Sequence, residues 1–145
     1  MVTVKPIGQK RLLATAGRHT VVTDRKLEDG GSDAGCTSGE LLLAAIGSCA
    51  TGSLRNFLDK AGLASDTLEV DVALEPSANG DDRDAIAIAV NLPAEIIEKR
   101  AEAIEAVAKS GRVVSRMVLG SRVIVRCQPT SGSLNPVSHQ QGLNP

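Results

Sequence analysis

The chain has 145 residues, 42% of them hydrophobic, and a formal net charge of −1. That is enough apolar material for one domain with a core, and it carries no basic field for nucleic acid. Phe57 is the single aromatic residue, so the stacking platforms that hold single-stranded nucleic acid are missing too.

Residues 2–7 (VTVKPI), 11–16 (RLLATA) and 19–24 (HTVVTD) are short and β-rich, and KLEDGGSDAG over 26–35 is a turn-rich loop. They predict a small antiparallel meander over 1–35. A long helix follows from Ser38 to Lys60. Thr37, with Glu40 three residues on, forms a capping box at its start, and Gly62 ends it. At the usual rise per residue it is roughly 34 Å long. Leu41, Leu42, Leu43, Ala44, Ala45 and Ile46 cover every direction around its axis, which places it in a core or an oligomer interface.

TLEVDVALEP (67–76) and DAIAIAVNL (84–92) alternate apolar and polar or small residues and predict a hairpin with one face on a core. Asp81, Asp82, Arg83 and Asp84 in the connection read as a solvated turn. Pro93 opens a second helix over about 93–110, ending at Gly111. RVVSRMVL predicts a short third helix and SRVIVRC (121–127) a last strand. The expected organisation is one α+β domain over 1–128, followed by a disordered C-terminal tail over 129–145.

Three cysteines, Cys36, Cys49 and Cys127, are widely spaced and odd in number, which is not a disulfide framework. There is no CxxC, and His19 and His139 lie in unrelated segments, so neither a metal site nor a cofactor motif is expected. MVTVKPIGQKR lacks the apolar stretch of a signal peptide, and no uninterrupted apolar run approaches the span of a bilayer. The expected setting is cytoplasmic and reducing, without a membrane partner.

Cys49 lies at the centre of GSCATGS, in the middle of the long helix. Small neighbours there admit two readings. They open a channel for an elongated apolar substrate, or Gly47, Ala50 and Gly52 permit close helix packing and Cys49 behaves as a small hydrophobe.

The segment HTVVTDRKLEDGGSDAGCTSGELLLAAIGSCATGSLRNFLDKAGL is similar to the centre of the OsmC/Ohr family, named for osmotically induced and organic-hydroperoxide-resistance proteins. Gly30, Gly31, Asp33, Gly35, Thr37, Glu40, Leu41, Leu42, Ala44, Ala45 and Cys49 match the family pattern in order, in the manner of the broader OsmC-like branch. The resemblance implies antiparallel sheets around long central helices in an intertwined homodimer. It further implies a thiol-dependent peroxidase: Cys49 attacks an organic hydroperoxide and becomes a sulfenic acid. In the family a second cysteine resolves that acid as a disulfide, and an external thiol or dithiol reduces it.

Carried over residue by residue, Cys49 matches the attacking thiol. Gly39 stands where the hydroperoxide-resistance branch has its assisting glutamate, and Glu40 is one place too late. Arg18 is the candidate activating arginine. Arg112 best occupies the slot of the resolving cysteine and, as a permanent cation, would favour the Cys49 thiolate. A competing alignment puts Gly111 in that slot and turns Arg112 to solvent. Cys36 reads as an incidental loop thiol or a redox partner, Cys127 as a packed strand residue, and Glu40 as a capping acid. The alternative to a peroxidase is a non-catalytic OsmC-like dimer that binds a small apolar ligand, or a redox sensor.

Overall fold

The computed structural model describes residues 1–76, 85–117 and 123–129. The solvated turn expected at Asp81 to Asp84 and the tail from residue 130 onward, with His139, lie outside the described residues.

Three short strands come first: β1 (Val2–Pro6), β2 (Leu12–Ala16) and β3 (His19–Thr23). They form the expected antiparallel meander in the order β1-β2-β3. α1 (Ser38–Lys60) follows, then β4 (Glu69–Glu75), β5 (Ala85–Leu92), α2 (Ala94–Ser110), α3 (Arg112–Met117) and β6 (Val123–Pro129). The architecture is α+β, with β4-β5-β6 as a second sheet.

Two sequence expectations change. The second sheet is mixed, because β6 runs parallel to β5 and pairs Ile86 with Val123 and Val90 with Cys127. The physical reason is the crossover: α2 and α3 carry the chain back to the starting edge, and parallel pairing needs a connection of that length. α2 also bends at Arg100, whose φ of −142° and ψ of 17° leave the helical region.

The core is one cluster. Ile46, Ala50, Leu54 and Leu58 of α1 repeat at four-residue spacing and are almost completely buried. They meet Ile86, Ile88, Val90 and Leu92 of β5, Ile96, Ile104 and Ala108 of α2, and Val114 of α3. α1 packs against α2, α3 and β4.

Among the described residues, α1 is the one helix long and apolar enough to cross a bilayer, with a mean hydropathy of 1.3. The burial of its four-residue ridge in the core gives that apolar character another use. Part of the rest of its surface is left open by the described residues: Leu42 is 57% exposed. The first sheet likewise leaves Val2, Val4 and Ile7 exposed.

Leu54 is fully buried, so Leu54→Ala removes apolar contact and leaves a cavity at the centre of the cluster. The expected loss is about 2–5 kcal/mol, read as a lower urea midpoint at unchanged slope. A midpoint equal to that of the parent chain would show that α1 is not the core helix.

Candidate functional site

The approach to α1 is built on a buried carboxylate. Asp24 follows β3 and is 4% exposed. It accepts hydrogen bonds from Arg25 N (2.8 Å), Ser32 N (3.0 Å), Ser32 Oγ (2.7 Å) and Ala34 N (3.1 Å). The Ser32 hydroxyl first, with the backbone amides, holds its carboxyl down at about 2. This folds residues 25–34 back on themselves. A Cβ at Gly31 would fall 2.0 Å from the Arg25 carbonyl oxygen, and one at Gly35 would fall 2.3 Å from that of Val22. Both glycines are therefore required by close backbone approach.

Thr37 and Glu40 close the capping box in both directions, with bonds of 2.7 and 3.2 Å. Lys26 bridges Glu40 at 3.2 Å and Asp33 at 3.4 Å. The Glu40 carboxyl is lowered, mainly by the Thr37 amide and then by Lys26. Its interactions are those of a capping acid that pins the loop to the helix.

Cys49 stands half-buried on α1, between Ile46 and Ala50 in the core and the open side of the helix. The small residues around it have separate reasons. A Cβ at Gly47 would approach Val72 Cγ2 to 3.2 Å, so this glycine lets β4 come close, whereas Gly52 faces open space. Gly47 and Gly52 line an open groove of about 740 Å³ between α1 and β4, together with Leu43, Thr51, Val70 and Val72. Cys49 does not line it.

The thiol meets a different element. Gly111, buried between α2 and α3, lies against it: a Cβ there would be 3.1 Å from Cys49 Sγ and 3.6 Å from Cys49 O. Arg112, one residue on, is exposed. It is thus Gly111, the residue of the competing alignment, that lies beside the sulfur. Arg18 is exposed at the β2–β3 turn of the first sheet. Among the described residues, no hydrogen bond joins either guanidinium to Cys49.

The other thiols stand apart. Cys36 precedes α1, and its carbonyl accepts the Asp24 amide at 3.2 Å. Roughly 17 Å of helix separates Ser38 from Cys49, well beyond the span of a disulfide. Cys127 on β6 approaches the Ala101 carbonyl at 3.9 Å. Burial first, and then the Glu105 charge, push its thiol up. Ala101 is ten residues up α2 from Gly111, about 15 Å along a helix.

The structure thus sets a half-buried thiol in the middle of α1, beside the α2–α3 junction, in a two-sheet α+β fold. The profile of the OsmC-like protein family matches residues 30–126, and the chain belongs to this family. No curated protein matches the sequence. The fold is similar to that of a candidate osmotic stress induced and detoxification response protein from Psychrobacter arcticus. That match has a TM-score of 0.71 at 16% identity, over 88% of this chain and 94% of the other. It is also similar to an organic hydroperoxide resistance protein, OsmC, from Legionella pneumophila (0.56; 18%; 89% and 96%). The organic hydroperoxide resistance protein OhrB of Bacillus subtilis is a third (0.60; 15%; 88% and 96%).

Asp24 was not legible as a site residue, although an aspartate opening a Gly/Ser-rich loop is an Asx-turn signal. Because its carboxyl is held down, the stability it contributes is present above the unfolded carboxylate range, near pH 4. It is lost as pH falls toward about 2. The protection of the amides of residues 25–34, taken relative to their intrinsic exchange rates, should therefore fall across that window in the parent chain. In Asp24→Asn it should be low at pH 7 already; equal protection in the two proteins at pH 7 would rule out this role.

Proposed function

We propose that this protein is a thiol-dependent peroxidase of the cytoplasm that reduces organic hydroperoxides at Cys49, works as an intertwined homodimer and is recharged by an external thiol or dithiol. The observation that carries this reading is the place of Cys49: mid-helix, half-buried and packed against the α2–α3 junction, in a chain of the OsmC-like family. The Legionella and Bacillus proteins that share the fold are described as organic hydroperoxide resistance proteins.

In the reaction the Cys49 thiolate attacks one peroxide oxygen. The S–O bond forms as the O–O bond breaks, an alcohol leaves, and Cys49 becomes a sulfenic acid. Attack needs the thiolate, and a cation close to the sulfur favours it. Arg18 and Arg112 are the candidates, and both are exposed in the single chain. A dimer in which one chain's first sheet lies across the other's α1 would cover Leu42, Val2 and Val4 and give Arg18 a route to a sulfur.

Cumene hydroperoxide consumption in the presence of dithiothreitol tests the reaction. The parent chain should consume it in turnover, and Cys49→Ser should fall to the background rate; equal consumption by the two proteins would overturn the reading. The open groove between α1 and β4 favours the second reading, a non-catalytic dimer that binds an apolar ligand, and absence of consumption by the parent chain would select it.

Light scattering at micromolar concentration should give twice the chain mass. Leu42→Glu, which sets a charge on the uncovered apolar face of α1, should give the monomer. A monomeric parent chain would remove the dimer from the reading.

A further inference from the structure

We propose that Gly111 sets the redox outcome at Cys49: it stands at bonding distance for a second sulfur without supplying one, so oxidised Cys49 is resolved by an external thiol through a mixed disulfide rather than by an internal disulfide. This rests on Cys49 being the hydroperoxide-reactive thiol.

The geometry is specific. A Cβ at Gly111 lies 3.1 Å from Cys49 Sγ. With an S–S bond of about 2.05 Å and an ordinary angle at sulfur, each Cβ of a disulfide lies about 3 Å from the partner's sulfur. Position 111 is therefore at bonding distance for a second sulfur, whereas Cys36 and Cys127 are not. Backbone conformation does not ask for glycine here: φ is −51° and ψ is 134°, a region open to every L-residue. What glycine provides is the missing side chain. Any other residue would bring its Cβ closer to the sulfur than ordinary van der Waals contact.

The chemistry balances with one co-reactant class. Cys49–S⁻ with ROOH and a proton gives Cys49–SOH and ROH. A monothiol R′SH then displaces the hydroxyl as water and forms Cys49–S–S–R′. A second R′SH attacks the R′ sulfur, releases the Cys49 thiol and leaves as R′SSR′. The hydroperoxide is reduced by two electrons and two monothiols are oxidised. Without the monothiol, excess peroxide carries Cys49 on to the sulfinic acid.

The test compares the parent chain with Gly111→Cys by intact mass and peptide mapping, using one equivalent of cumene hydroperoxide with glutathione. The parent chain should gain one glutathione, at Cys49. Gly111→Cys should instead lose two hydrogens by joining Cys49 to the introduced thiol, and take up no glutathione. If the variant, with a parent-like circular dichroism spectrum, keeps both thiols or adds glutathione, the assignment is wrong. It is equally wrong if the parent chain closes a bond between Cys49 and Cys127.

Should Gly111→Cys not fold, Gly111→Ala decides: its methyl group should slow mixed-disulfide formation about tenfold by blocking access to the sulfur, and an unchanged rate overturns the proposal. Diamide, which oxidises dithiols without peroxide chemistry, separates the two readings. If diamide closes the bond and hydroperoxide does not, the role of position 111 stands and the peroxidase reading falls. If hydroperoxide oxidises Cys49 but neither oxidant closes the bond, the peroxidase reading stands and Gly111 is not the determinant.

Discussion

One ridge of α1 organises the molecule. Ile46, Ala50, Leu54 and Leu58 stand at successive turns and are fully enclosed by β5, α2 and α3. Everything at the site takes its position from that ridge. Cys49 sits one residue off it, which brings the thiol to the border between core and open surface. Gly47 sits on the other side and admits β4. The same ridge holds α2 against α1, so the turn that ends α2 arrives at Cys49 and nowhere else.

A second, polar constraint fixes where α1 begins. Asp24 collects four donors from a loop that would otherwise have no reason to be compact, and Lys26 ties the loop to the capping acid Glu40. Two glycines make the fold-back sterically possible. Helix start, loop and last residues of β3 thus form one unit. Its bonds are local and largely to backbone, whereas the thiol is surrounded by apolar packing.

Much of this was legible in the residues. The capping box, the bounds of α1 and the meander follow from local signals of cap chemistry and alternation. β4 and β5 follow from their period, although β5 is buried on both faces and not on one, and the family pattern follows from Gly30 to Cys49. What was not legible depended on distant parts of the chain. Nothing near Val123 states that it pairs with Ile86 in the same direction. The alignment slot opposite Cys49 was ambiguous by one residue, and a one-residue shift on a tight helix–helix junction exchanges a buried glycine for an exposed arginine. Asp24 escaped because its partners, Ser32 and Ala34, are defined only once the loop has closed.

The parallel pairing of β5 with β6 also orders events in time. The meander and α1 draw on neighbouring residues and can form as the chain emerges from the ribosome. The second sheet cannot be completed then, because its β6 edge strand is synthesised after the whole α2–α3 crossover. Until β6 arrives, β5 presents an unpaired edge flanked by Ile86, Ile88 and Val90, and such an edge invites pairing with another nascent chain. The non-local step is also the slow one. The interval between synthesis of β5 and docking of β6 therefore leaves one edge of this sheet open to pairing with another chain.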